Sequence, residues 1–128
     1  VLICGSHGGL YPGYLAALAG LRAVLFNDAG IGKDEAGIAS LATLAPLGIA
    51  AAAVSHRSCR IGDGADMRAR GIVSRVNGPA AALGVEPGMP CAEAAERLRA
   101  APAPTGRCPP PSVGEPVRSV LRRWAAMR

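Results

Sequence analysis

Three polar segments, each following a short apolar run, hold the residues best suited to chemistry: Gly5-Ser6-His7-Gly8-Gly9, then Asn27 to Asp34, then Ser55 to Gly64. Together they contain both histidines, the single lysine and several glycines of the chain. Loops that only connect elements need glycine for their turns, but not His, Lys and Arg at each strand end. His7 and His56 are candidate general bases because an imidazole titrates near neutral pH. Asp28 is placed to orient one of them or to accept a proton. Ser6 is a candidate nucleophile or hydrogen-bond donor. Lys33 stands out because the chain otherwise uses thirteen arginines. A site that needed only positive charge would as readily hold Arg, whereas a lysine amine can lose its proton when desolvated. Arg57 and Arg60 suit a carboxylate, whose two oxygens match the guanidinium fork, and Asp63 is the alternative partner for either. Asn27, Ser55, Gly8 and Gly9 complete the candidate ligand contacts. The competing reading makes all of these caps and turns, with the histidines structural and Asp28 closing a turn.

The run Ser6-His7-Gly8-Gly9 resembles the His-Gly-Gly oxyanion loop of lipases and esterases, in which backbone N–H groups hold a developing negative charge. The resemblance is confined to these residues: no G-x-S-x-G follows, and the chain is too short for an α/β-hydrolase sheet. It implies a loop whose backbone can approach an anionic or carbonyl group. The Gly32-Lys33 pair is not a phosphate-binding Walker motif, because Asn27 and Asp34 stand where that motif needs Gly and Ser or Thr. The run from Asn77 to Gly88 resembles a fragment of PDZ domains, a match that the surrounding α/β pattern contradicts.

The elements that must position these loops follow from hydrophobic patterning. Val1–Cys4, Ala23–Phe26 and Ile49–Val54 are compact apolar runs of strand length. Between them, Pro12 opens a helix with Tyr14, Leu15, Leu18 and Leu21 at helical spacing. Asp34 and Glu35 open a second, with Ile38, Leu41, Leu44 and Ala45 as its buried stripe. The result is a Rossmann-like β-α-β-α-β order: a small, open, mostly parallel sheet of three to four strands with helices on both faces. Ile72–Val76 reads as a fourth strand, and short helices follow at Pro79 and at Cys91–Ala100. Residues 1–100 form the α/β domain and 101–111, with five prolines, a stiff connector. Residues 112–128 form a basic amphipathic helix beginning at Ser112 or with Pro116 in its first turn. Its apolar face (Val113, Val117, Val120, Leu121, Trp124, Met127) is expected to dock on its own domain or a sister subunit. In open parallel sheets ligands bind at the carboxyl ends of the strands, which is where the three polar segments lie.

Composition narrows the function classes. Aromatics make up only 3% of 128 residues, so the core is built from Ala, Leu, Ile and Val. Such a core buries little area per side chain, and a homo-oligomer is expected to add buried surface. The net charge of +5 is uneven. Residues 1–96 carry seven basic against eight acidic side chains, and residues 97–128 carry seven arginines against Glu115. The body is near neutral, which argues against a nucleic-acid-binding fold. The four cysteines form no C-x-x-C pair, no metal or cofactor is expected, and Cys4 reads as a buried hydrophobe. No apolar stretch suits a membrane span, the expected compartment is the cytoplasm, and the arginine bias suits a GC-rich bacterial genome. Val1 already lies in a strand-like run, leaving room for upstream residues that would change the topology. The expectation is an enzyme, a hydrolase or isomerase, acting on a small anionic, carboxylate-bearing metabolite. The alternatives are a non-catalytic binding or regulatory module and a structural subunit that binds a partner through its C-terminal helix.

Overall fold

The computed structural model describes residues 1–106 and 114–126. Ser112, Val113, Met127, Cys108 and the later prolines of the connector lie outside them. A four-stranded sheet runs in the order β1 (Leu2–His7), β2 (Ala23–Asn27), β3 (Ala50–Val54), β4 (Val73–Val76). β1, β2 and β3 are parallel, and β4 joins antiparallel to β3. β2 and β3 are buried at every position, which is why they read as unbroken apolar runs.

Alternation along these strands sorts the core into two layers. Val24, Phe26, Ala51 and Ala53 face one side, where α1 (Leu10–Leu18), α2 (Ala39–Leu44) and α6 (Val117–Ala126) pack. Leu25, Ala52 and Val54 face the other, toward α3 (Gly64–Arg70), α4 (Gly78–Ala82) and α5 (Cys91–Leu98). The alanines of β3 let both layers lie close to the sheet. α1 and α2 approach so closely that a Cβ at Gly13 would collide with the Ser40 side chain. On α6, Val120 and Trp124 are buried, and the Trp124 ring lies 5.7 Å from that of Tyr14, so the basic helix docks on its own domain.

Three expectations change. On α1 the buried positions are Gly13, Tyr14 and Ala16, while Leu15 and Leu18 are exposed; the helix turns its Gly13 side to α2 and packs Tyr14 into the core. Asp34 and Glu35 do not open α2. Both take left-handed φ (54° and 58°) inside an irregular 3-10 stretch, Lys33–Ile38, and regular helix starts only at Ala39. Helix α3 has no counterpart in the sequence reading, because GADMRAR buries only Met67 and so shows no periodic stripe.

Asn77, at the end of β4, ties the layers together. Its amide donates to the carbonyls of Leu41 and Ile49, and its Oδ1 accepts from the N–H groups of Ala51 and Ala80. One buried side chain thus joins α2, β3 and the first turn of α4. Replacing it with Ala leaves several buried backbone groups unpaired. Asn77→Ala is expected to lower the unfolding free energy by about 3 kcal/mol in urea titrations, whereas Arg75→Ala on the exposed face of β4 changes it by less than about 0.5 kcal/mol.

Candidate functional site

The chain leaves β2 toward α2 on one face of the sheet and leaves β3 toward α3 on the other. Loops that part in this way open a crevice between adjacent strand ends. Here it is an open cavity of about 480 Å³ lined by Asn27, Ala29, His56, Cys59, Arg60 and Ile61.

Asp28, just past the end of β2, organises the crevice. It is 4% exposed. Its Oδ1 accepts from the Gly30 N–H (2.8 Å), the His56 N–H (3.0 Å) and lies 3.1 Å from His56 Nδ1. Its Oδ2 accepts the Ser74 hydroxyl at 2.7 Å. Burial pushes the Asp28 carboxyl up, but the hydrogen bonds from Ser74, Gly30 and His56 together outweigh it and hold the group below its ordinary value of 3.8. An ionised Asp28 selects the His56 tautomer that carries its proton on Nδ1, leaving Nε2 as the nitrogen available for proton exchange. The His56 side chain is 45% exposed. A histidine held in this way can exchange a proton through Nε2.

The other crevice residues have settled partners. Asn27 is fully buried beneath the cavity; its Oδ1 accepts from the Ala29 N–H and its amide donates to Cys59 Sγ. Burial, more than any charge, raises the Cys59 thiol, so it sits there as a neutral apolar surface. Arg60 gives its backbone N–H to Asp66 and is one of the residues that line the cavity. Ile61 forms an exposed apolar lip. The loop below is strained. Ala29, Ile31, Asp34 and Glu35 all take positive φ, which is unfavourable for any side chain and most of all for β-branched Ile31. The turns closed by Asn27 and Asp28 hold it there.

The structure gathers Asn27, Asp28, His56 and Arg60 from the sequence candidates and places the others elsewhere. Two extra residues bulge out of β1 between Ile3 and His7, and His7 comes to rest beside Asn27. Its Nδ1 accepts the Gly9 N–H at 3.0 Å. The Gly8 N–H is shared between the carbonyls of Asn27 and Gly37. Both glycine donors that the oxyanion-loop resemblance would use are therefore already occupied inside the protein. Ser6 and Lys33 are exposed and line no part of the crevice. Ser55 closes a turn, accepting the Arg57 N–H on its hydroxyl; the Arg57 side chain is exposed and also outside the crevice lining. Asp63 pairs with neither arginine; it caps α3 by accepting the Asp66 N–H. Ser74 was missed by the sequence reading, because a lone serine in a four-residue strand carries no local signal of the carboxylate it meets.

Among the described residues no cluster of three or more His, Cys, Asp or Glu side chains is placed to hold a metal ion, and no helix is long and apolar enough to cross a membrane. Comparison with protein-family models, curated proteins and solved structures finds no match to this chain.

Two measurements check the Asp28–His56 pair. Imidazole nitrogen shifts of the neutral protein should show His56 protonated at Nδ1, and Asp28→Asn should abolish that bias. Because the folded value of Asp28 is depressed, its stabilising contribution is complete above the ordinary carboxyl range and is lost as pH falls through the folded value, below 3.8. The wild-type protein should therefore lose stability on acidification below that pH more steeply than Asp28→Asn in parallel urea titrations.

Proposed function

We propose that the crevice between β2 and β3 is a general acid–base site acting on a small carboxylate-bearing molecule, by hydrolysis or isomerisation. The observation that carries this reading is the contact between His56 Nδ1 and the buried, multiply bonded Asp28 carboxylate. In the proposed step, His56 Nε2 takes a proton from water or from a substrate carbon. Asp28 stabilises the imidazolium that results, and the proton is then returned to the leaving group or to a second carbon. Arg60 receives the substrate carboxylate as a paired fork, while Ile61 and Cys59 give the apolar part of a small molecule a dry surface. In this reading the work falls on Asp28 and His56, and Ser6, His7 and Lys33 stand outside it. Neither nucleic acid nor membrane is proposed as a partner. The cytoplasm is the proposed compartment, a reading that fits the free thiols of Cys4, Cys59 and Cys91 among the described residues.

The test is a thermal-shift screen of acetate, lactate, succinate and their methyl esters and amides against wild type and Arg60→Ala. Turnover of any hit is then followed by proton NMR. A carboxylate should raise the wild-type midpoint and leave Arg60→Ala unmoved. Turnover should fall roughly 10²–10⁴-fold in His56→Gln. Binding without turnover would instead assign a ligand-binding module, and equal shifts in both proteins would remove the ligand from the crevice.

A further inference from the structure

Seven large apolar side chains stand exposed among the described residues, and five of them fall in the first eighteen positions: Val1, Leu2, Tyr11, Leu15 and Leu18. Tyr11, Leu15 and Leu18 recur at i, i+4 and i+7 and so form one stripe along α1. Their exposures are 46%, 47% and 43%, and that of Leu2 is 44%. The opposite side of α1 is committed to the fold. Leu10, Tyr14 and Ala17 pack toward the sheet, and Gly13 meets Ser40 of α2. The stripe therefore lies on the flank turned away from α2, above the β1 edge. Leu2 pairs with Val24, whose side chain belongs to the layer that holds α1, so Leu2 emerges on the same face as the stripe.

The two edges of the sheet are treated differently. At β4 the chain covers its own edge: Val73 exchanges backbone hydrogen bonds with Gly88 and Met89, and Ile72 bridges Pro90. At β1 the described residues supply only one such bond, from Gly62 to the Gly5 carbonyl. α1 carries no charged side chain, so two copies of the stripe can meet without like charges opposed. The four side chains expose on the order of 300 Å² of apolar surface, enough for the apolar centre of an interface to which each partner gives roughly 800 Å².

We propose that this flank is a homodimer interface, in which the α1 helices of two copies pack antiparallel about a two-fold axis near Leu15. Tyr11 of each copy then meets Leu18 of the other, Leu15 meets Leu15, and Leu2 closes the lower end. Light scattering after size exclusion, on the 128-residue chain at micromolar concentration, should give twice the 12.9 kDa monomer mass. The variant Leu15→Glu/Leu18→Glu should give the monomer mass with an unchanged circular dichroism spectrum. In a second measurement, Leu15→Cys should cross-link between copies under mild oxidation well beyond wild type. Ile61→Cys, at a position 57% exposed on the crevice lip, should not. A wild-type monomer, a dimer that survives both glutamates, or equal cross-linking at the two positions would overturn the proposal. If the double variant loses its fold, the cross-linking comparison decides.

Discussion

A buried carboxylate cannot be left without partners, and this constraint sets the geometry at the top of the sheet. Removing Asp28 from water would be costly, so the chain surrounds it with donors from three separate places: the loop after β2, the loop after β3, and Ser74 on β4. Those segments are distant in sequence. Each gives a hydrogen bond to the carboxylate, and their meeting there sets the geometry around the crevice. The strained Ala29–Glu35 loop is held by the same logic, since the N–H groups of Ala29 and Gly30 are bound by the side chains of Asn27 and Asp28.

Beneath that site the packing is unusually dependent on small residues. β3 presents four alanines and a valine, all buried, so neither layer of helices is kept at a distance by bulky side chains. What the alanines lack in buried area is partly offset by polar clamps. Asn77 joins both layers through four hydrogen bonds, and the carbonyl of Gly8 accepts both the Ser40 N–H and its hydroxyl. The turn after β1 is tied into the fold in this way. Its glycines pin the 3-10 segment and α2 against Phe26, and their N–H groups are not open to a ligand.

The topology gives the crevice its place. β1 and β2 both send the chain to the same face, so their loops run side by side and stay packed. Only between β2 and β3 do the connections diverge. Three polar loops meet at one end of the sheet, but a cavity opens between two of them. His7 and His56 therefore look equivalent in sequence and differ in the fold. One caps its own turn; the other is held against a buried carboxylate beside open space.

The sequence by itself determined the α/β class, the strand positions to within a few residues, the two-faced burial of β2 and β3, and the carboxyl-end location of the polar loops. These properties are local: they depend on which residues are apolar, at what spacing, and on where Gly and Pro interrupt them. It also marked Asn27, Asp28, His56 and Arg60, but only among twelve candidates that included Ser6, His7 and Lys33. Tertiary structure alone decided which histidine Asp28 would hold, that Ser74 would complete the set, and that Asp63 would cap a helix. It also decided that Leu15 and Leu18 would face outward. Each of these depends on a partner tens of residues away, or on which side of a helix meets the sheet. Periodicity shows that a face is apolar, but not which of two apolar faces the rest of the chain will cover.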